Sequence, residues 1–455
     1  MNTGLEWGYA FGETVLSPMA LGLTLAMGVV LLLVPRGRVA IPILIVSFFI
    51  TELQRIVIGG LDFTMIRILM LFALLRIVLR HRSLRIGMTS MDWALLAYSV
   101  LSVLMYTLLL KTTSAFVGQL GFLFDTLPMY FFLRLYLVEA DDVTALLRSL
   151  SFIAAGIAAV MVIEYVFGRN LFSVFGGVPE MAVVRDGKIR SQGSFQHPIL
   201  AGTFGATLFP LFAGLYGYER SRKPAATLGM VSSLLIAVTC SSSGPLVALL
   251  AGIFALCLWR LRDNVRLGIA ILVFLLVLYS VARNAPFYRL ITKFGMFGSS
   301  STWHRYELID NFVRRISEWW LVGTRSTLHW GWMMQDLANQ YVSIGVRGGI
   351  VTLLAFVSVL VAGFARLGSS LASSLAQSRD KFLVWAVGCS LFAHVVAFLD
   401  VSYSGQMLLN LVTLLCIIAS LSARLAGRPE HTLQPRARPR VPSLPPRLDA
   451  PARHG

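Results

Sequence analysis

Charged residues are scarce in this chain. Only 13% of its 455 residues are Asp, Glu, Lys or Arg, whereas 56% are hydrophobic and the mean hydropathy is +0.75. Because soluble domains have about 25% charged residues, this composition excludes an ordinary soluble enzyme or binding module. The four cysteines lie in or beside apolar segments without the spacing of metal ligands, so they predict neither a disulfide framework nor a metal site.

Acidic residues are the scarcer of the two charge classes, with 22 Asp and Glu against 39 Lys and Arg. Most of the basic residues fall in alternate gaps between apolar segments, which is the positive-inside pattern of membrane proteins. The sequence lacks a basic surface on a soluble segment, so we expect no nucleic-acid partner. With these gaps in the cytoplasm, the N-terminus is expected outside the membrane.

Apolar runs of membrane-spanning length recur along the chain, and they lack the period-2 alternation of barrel strands. We therefore expect an all-α fold, a polytopic integral membrane protein with about 12–13 transmembrane helices. The second run is the weakest candidate because Glu52 and Arg55 lie inside it. The predicted spans are 18–34, 41–58, 65–80, 92–110, 117–138, 146–167, 198–217, 225–240, 244–260, 266–282, 341–365, 382–400 and 404–424.

The chain divides into a predicted membrane domain, 1–425, and a Pro- and Arg-rich segment, 426–455, that is expected to be a disordered cytoplasmic tail. The inverted repeats typical of many transporters are not visible. A polar stretch, 283–340, interrupts the apolar pattern and is expected on the outer face. It carries seven Lys and Arg against four Asp and Glu, which predicts an anionic ligand because short outer loops usually avoid positive charge.

The first candidate site runs from 188 to 198 into a predicted span. Arg190 can bind a phosphate through two parallel hydrogen bonds, and Gly193 allows close backbone approach. Pro198 suits the first turn of the next helix, whose N-terminal amides favour an anion. The alternative is that Arg190 only pairs with Asp186.

A second candidate site lies at the start of an amphipathic helix inside the polar stretch, where His304 precedes Arg305. Apolar residues at helical spacing predict one face of this helix. Trp319 and Trp320 follow, which suggested a helix lying at the membrane rim. The predicted apolar face consists of Leu308, Ile309, Phe312, Val313 and Ile316.

The third candidate site lies at the mouth of the next span. Asp336 and Asn339 are three residues apart, so a helix would place them on one face. Arg347 follows about two turns later, while Gly345 and Gly348 permit close helix packing. The alternatives are a helix cap for Asp336 and an interfacial, snorkelling role for Arg347.

Together these motifs resemble the O-antigen ligase and O-antigen polymerase superfamily of bacterial membrane glycosyltransferases, in its exopolysaccharide polymerase-like form. The resemblance covers roughly 185–365. It rests on Arg190-x-x-Gly193-x-Phe195-x-His197-Pro198, on Ser241-Ser242-Ser243-Gly244-Pro245-Leu246, on Arg305, and on Asn339-x-Tyr341-Val342-x-x-Gly345-x-x-Gly348.

The resemblance implies a metal-independent enzyme without a cofactor, in the bacterial inner membrane with its active site facing the periplasm. The donor would be an undecaprenyl-pyrophosphate-linked oligosaccharide. Arg190 and Arg305 would bind its pyrophosphate, with Arg347 a third candidate. Membrane lipids would surround such an enzyme, and the resemblance suggests a chain-length regulator or an export complex as a protein partner.

Two departures from the family pattern bear on the reaction. Many members have Ser-Arg where this chain has Ser242-Ser243, and ligases usually have His-Asn where Ala338 precedes Asn339. With that histidine absent, the candidate catalytic residues are Asp336, His304 and Asn339. Asp336 or His304 would act as the base, and the alternative is that the reaction requires none. This favours a polysaccharide polymerase over a ligase acting on lipid A core or protein. A glycolipid transporter or flippase is the alternative from another class.

Overall fold

The computed structural model describes residues 13–80, 87–293 and 299–425. The expected disordered tail, 426–455, lies outside this part. The fold is an all-α helical bundle of a polytopic membrane protein. Within the described part, eight helices are long and apolar enough to cross a membrane, and three shorter helices are also apolar.

The helices are α1 (Pro18–Leu33), α2 (Ala40–Phe49), α3 (Met65–Arg80), α4 (Ser90–Leu110), α5 (Thr113–Tyr136), α6 (Ala140–Phe167), α7 (Pro198–Tyr218), α8 (Lys223–Thr239), α9 (Ser243–Cys257), α10 (Val265–Arg283), α11 (Ser299–Arg314), α12 (Ile316–Trp319), α13 (Gln340–Ala372), α14 (Ser378–Ala397) and α15 (Gly405–Leu425).

The predicted span 41–58 is wrong in its second half. Helix α2 has only ten residues, and a two-stranded antiparallel hairpin of β1 (Arg55–Ile58) and β2 (Leu61–Thr64) follows it. Gly59 and Gly60 form the turn, and both have a positive φ, a backbone conformation that residues with a side chain rarely adopt. The other twelve predicted spans each coincide with a helix, with edges displaced by a few residues.

Loop contacts define two ends of the bundle. At one end, which we call the loop-rich end, the segments 50–64, 168–197, 284–293, 299–339 and 398–404 meet. There the Thr51 hydroxyl donates to the Gly176 carbonyl, and the Arg325 guanidinium donates to the Leu109 carbonyl at the end of α4. At the opposite end Arg222 pairs with Asp141. The polar stretch 283–340 and the motif 188–198 therefore share one end of the molecule.

Helix α7 is largely buried in the bundle, and its glycines let the neighbouring helices approach closely. A Cβ at Gly205 would lie 2.7 Å from the Ser233 carbonyl oxygen of α8, and one at Gly214 would lie 2.7 Å from Ala386 of α14. Small residues are the usual means of helix association in membranes, because apolar side chains gain little from leaving lipid for protein. Helix α10, in contrast, exposes nearly all its apolar side chains, as expected of a helix facing lipid.

The described part of the polar stretch contributes to a small separate core. Its buried apolar residues pack on the start of α13, and Phe312 stacks on Trp319 with ring centroids 3.9 Å apart. The predicted helix face is only half correct, because Val313 and Ile316 are exposed. Trp319 is also buried rather than placed at a rim. The buried residues of this core are Leu308, Trp319, Trp330, Met334, Val342 and Val346.

A kink in α13 receives the polar stretch. Gly349 has φ +71° and non-helical geometry inside α13, and a Cβ there would overlap the Leu321 carbonyl. Across the kink, the Ile350 amide donates to the Trp320 carbonyl at 2.8 Å. One turn earlier, a Cβ at Gly345 would meet the Phe312 ring at 2.6 Å. The close packing predicted at Gly345 is therefore made with the polar stretch, whereas Gly348 packs on Thr352 of its own helix.

Candidate anion-binding site at the loop-rich end

Arg190 ends a short hairpin of β3 (Val183–Arg185) and β4 (Lys188–Arg190). Its side chain is buried, with the residue 6% exposed, and its Nε donates to the Cys240 carbonyl at 3.4 Å. Asp186, the partner in the alternative interpretation, instead pairs with Arg185 at 3.7 Å. Arg190 is thus turned inward, toward the ends of α8 and α9.

A buried carboxylate on α6 fixes the backbone after Arg190. Glu164 is 0% exposed, and its two oxygens accept from the Gln192 amide at 3.1 and 3.2 Å. One oxygen also accepts from the Gly193 amide at 2.8 Å. Gly193 has φ +59°, so this turn requires a residue that tolerates left-handed geometry. Charge-assisted hydrogen bonds of this kind are the stronger ones in proteins, so the backbone carrying Arg190 is firmly held.

Arg305 reaches the same region from α11. It forms an ion pair with Asp400 through its terminal nitrogen, and the two side chains are only 12% and 11% exposed. Asp400 also lies close enough to Arg190 for the two charges to interact. Two arginines that are far apart in sequence, Arg190 and Arg305, therefore meet around one carboxylate.

The connection between α14 and α15 positions Asp400. The Phe398 carbonyl accepts from the Gln340 amide at 2.8 Å, and the Gln340 side chain accepts from the Tyr403 amide at 2.6 Å. Asn339 caps α13 by accepting from the Val342 amide at 3.1 Å. Its amide nitrogen donates to the Leu399 carbonyl at 3.2 Å. Asn339, a predicted catalytic residue, thus uses one polar atom to cap α13 and the other to hold this connection.

The N-terminus of α9 faces the same carboxylate. Ser242 is its N-cap residue, and Gly244 lies so near Asp400 that a Cβ there would overlap the carboxylate. The free amides at a helix start favour negative charge. Position 244, the fourth of the motif 241–246, must therefore be glycine, because any side chain there would overlap Asp400.

His197 stands at the rim of this group as the N-cap of α7. Its Nδ1 accepts from the Ile199 amide at 3.1 Å. The imidazole keeps an accessible edge, yet desolvation by the surrounding protein, together with the charges of Arg190 and Arg185, lowers the pKa of His197 to about 4. His197 is therefore neutral at physiological pH and adds no charge to the site. Pro198 follows as the first residue of α7, as predicted.

Three other predicted site residues have their contacts outside the Arg190–Arg305–Asp400 group. His304 precedes Arg305 on α11, and its Nε2 is 3.1 Å from the Met333 carbonyl oxygen. Asp336 is half-buried in the same stretch, where its amide donates to the Met333 carbonyl at 3.0 Å. Arg347 is exposed on α13 and its charge lies near Tyr98 of α4. The structure thus brings together Arg190 and Arg305, but it directs Arg347 elsewhere.

Sequence reasoning assigned no role to two carboxylates of this site. Asp400 and Glu164 each appear in the sequence as an isolated acid at the end of an apolar span. Acids in such places are rare and are usually functional or paired. That signal identified Asp400 as an unusual charge without giving its partner, and it could have identified Glu164 in the same way. Their partners, Arg305 and the amides of 192–193, lie 95 and about 30 positions away in sequence.

The Arg190–Arg305–Asp400 group has the chemistry of an anion site. Two guanidinium groups face one carboxylate, so one positive charge is left over beside the start of α9. Guanidinium forks bind phosphate oxygens in pairs, and partial burial strengthens such interactions. Within residues 13–80, 87–293 and 299–425, no group of three or more His, Cys, Asp or Glu side chains is placed to hold a metal ion, and all four cysteines are free thiols.

No protein-family model matches this chain, and no curated protein matches it either.

Proposed function

We propose that this protein is a membrane glycosyltransferase that polymerises a polysaccharide. In this reaction the growing glycan leaves its undecaprenyl pyrophosphate and joins the non-reducing end of another lipid-linked repeat unit, at the periplasmic face of the inner membrane. The observation that carries the proposal is the convergence of Arg190 and Arg305 on one buried site at the loop-rich end.

The assigned roles follow from the charge that develops during transfer. As the bond between the sugar C1 and the pyrophosphate oxygen breaks, the electron pair moves to the pyrophosphate. Fixed guanidinium groups in a partly dry site stabilise that charge better than water does, because their dipoles need no reorganisation. Arg190 and Arg305 would provide this stabilisation, and the amides at the start of α9 would add to it.

The placement of the site favours transfer chemistry over transport. A transporter of an anionic glycolipid is expected to line a path near the middle of the membrane with polar groups. Here the two arginines, Asp400 and Glu164 gather at the end of the bundle where the long loops meet. A site open to one face suits a reaction between two lipid-linked substrates on that face.

The test replaces each arginine by lysine, which keeps the charge and loses the planar fork. In the native host, Arg190→Lys and Arg305→Lys should reduce long-chain polysaccharide by about 10²-fold, as loss of one oxyanion-stabilising donor does in other enzymes. Arg314→Lys is the matched control, because Arg314 lies on the same helix, is 73% exposed and pairs with Asp310. Wild-type chain lengths in both active-site variants, at equal protein level, would refute the pyrophosphate role.

The same strains separate a polymerase from a ligase. If the protein is a polymerase, its loss leaves glycans of a single repeat unit. If it is a ligase, its loss leaves long glycans attached to undecaprenyl pyrophosphate and none on the acceptor. A flippase defect instead leaves repeat units on the cytoplasmic side, where periplasmic glycosidases cannot reach them.

A further inference from the structure

The Asp400 carboxylate is only half satisfied. One oxygen pairs with Arg305, while Oδ2 is buried and forms no hydrogen bond with any residue in the described part of the chain. The whole residue is 8% exposed. A buried carboxylate oxygen without a partner costs free energy, so its retention at the centre of this site calls for a functional explanation.

Asp400 and a bound pyrophosphate would compete for the same cation. Both are anions, both suit the guanidinium fork of Arg305, and both suit the start of α9 near Gly244. A pyrophosphate carries more negative charge than one carboxylate and can engage Arg190 as well. Donor binding is therefore expected to draw Arg305 away from Asp400 and to leave that carboxylate without its counterion.

We propose that Asp400 holds Arg305 in place in the resting enzyme and, once the donor pyrophosphate has taken Arg305, accepts the proton from the acceptor hydroxyl. This inference rests on the proposed glycosyl transfer and adds the group that completes it. The acceptor oxygen forms the new bond to C1, the bond from C1 to the pyrophosphate oxygen breaks, the electron pair leaves with the pyrophosphate, and the proton ends on Asp400.

The surroundings of Asp400 suit this exchange. Arg305 faces it from α11, Arg190 from β4 and Cys240 from the end of α8, while Gly244 of α9 packs against it. Burial raises the pKa of Asp400 above its ordinary value, although Arg305 and Arg190 oppose this effect. Removing Arg305 from the pair would raise that pKa further, because a nearby positive charge favours the ionised carboxylate. The carboxylate thus becomes a stronger base when the donor is bound.

Asp336 is a weaker candidate for this role on geometry. It lies in the stretch 331–339 beside Met333, whereas Asp400 directly contacts one of the two proposed pyrophosphate-binding arginines. A proton acceptor must come within hydrogen-bond reach of the hydroxyl attacking C1, and C1 is bonded directly to the pyrophosphate.

The test measures transfer and donor binding separately. Purified protein in nanodiscs is given lipid-linked repeat units extracted from a host that lacks the gene, and undecaprenyl pyrophosphate serves as a competitive probe of donor binding. Asp400→Asn should lower kcat by about 10²–10⁴-fold, the usual contribution of a general base. The inhibition constant of undecaprenyl pyrophosphate should stay equal or fall, because Arg305 no longer has an anionic partner.

Two further variants keep the inference falsifiable if Asp400→Asn folds poorly. Gly244→Ala leaves Asp400 in the chain but places a methyl group where the carboxylate lies, so kcat should again fall. Asp400→Glu should recover measurable transfer relative to Asp400→Asn. Asp186→Asn is the matched control, since Asp186 lies in the β3–β4 turn with its side chain 78% exposed and φ +51°, which Asn tolerates.

The possible outcomes are distinct. Wild-type kcat in Asp400→Asn or in Gly244→Ala would overturn the inference and leave the proposed function intact. A higher inhibition constant with unchanged kcat would also overturn it, because that pattern describes a residue that only positions Arg305. Failure of the wild-type protein to lengthen any lipid-linked glycan would instead refute the proposed function.

Discussion

Glu164 provides the sharpest test of how the candidate site is held. The perturbation is Glu164→Ala, which removes a fully buried carboxylate and leaves the amides of Gln192 and Gly193 without an acceptor. Each buried amide left unsatisfied costs about 1–3 kcal/mol. Two such groups give a loss of about 2–6 kcal/mol in the free energy of unfolding.

The damage should be local first. Arg190 lies two residues before Gln192, and the intervening Ser191 amide donates to the Thr239 carbonyl at 3.0 Å. Release of the 192–193 turn leaves this hydrogen bond to hold the backbone beside Arg190, so the direction of the Arg190 side chain should become less fixed. Glu164→Gln should destabilise the protein less than Glu164→Ala, because its amide oxygen still accepts a hydrogen bond. It should still be less stable than the wild type, because that oxygen carries no charge.

The assay is thermal denaturation in detergent, followed by size-exclusion chromatography with fluorescence detection, together with the inhibition constant of undecaprenyl pyrophosphate. The matched control is Glu180→Ala, because Glu180 lies in the same loop segment and is exposed. We expect the order wild type, Glu164→Gln, Glu164→Ala in falling Tm, with weaker binding of the probe. Equal Tm values for Glu164→Ala and Glu180→Ala would show that the carboxylate does not anchor the turn.

Three further predictions concern the membrane topology, a titrating carboxylate and the helix kink. In a chain whose native cysteines are replaced, a membrane-impermeant maleimide should label Ser326→Cys from the periplasm and should label Asp263→Cys only after lysis. The reverse labelling pattern would contradict the proposed orientation. Burial, more than the neighbouring carboxylate of α5, raises the pKa of Glu52 from 4.5 to about 7, so the folded state favours the protonated carboxyl. The stability that this preference contributes is complete below pH 4.5 and declines by up to about 3 kcal/mol as the pH rises past 7. Glu52→Gln should remove that decline in Tm between pH 5 and pH 8. Gly349→Ala should lower Tm far more than Gly388→Ala. At Gly349 φ is +71° and a Cβ would overlap backbone atoms, whereas at Gly388 the atom nearest to a Cβ is 3.7 Å away. Equal Tm values for the two variants would argue against the kink.

The second predicted span shows how far local sequence reasoning reaches. Hydropathy over 41–58 suggested one long helix, and the internal charges Glu52 and Arg55 were the only warning. The structure replaces the second half with a hairpin whose first strand pairs with Val15 before α1. That pairing joins residues 40 positions apart, so no window along the sequence contains it.

The sequence by itself determined the class of the protein and the position of nearly every helix. Long apolar runs must form helices in lipid, because each helix satisfies its own backbone hydrogen bonds, and this property is local. The sequence also marked Arg190 and Arg305 as unusual cations in the two long predicted outer segments, because basic residues there depart from the positive-inside pattern.

Only the tertiary structure decided which of these residues act together. Arg305 pairs with Asp400, Glu164 anchors the Arg190 loop, and Arg347 stays outside the group. These three facts depend on how α6, α9, α11 and the α14–α15 connection pack. Packing depends on the shapes of helix faces and on single small residues such as Gly244, across long sequence separations. Hydropathy carries no information about those contacts, so the site's carboxylates could be noticed in the sequence, but their roles could not be assigned from it.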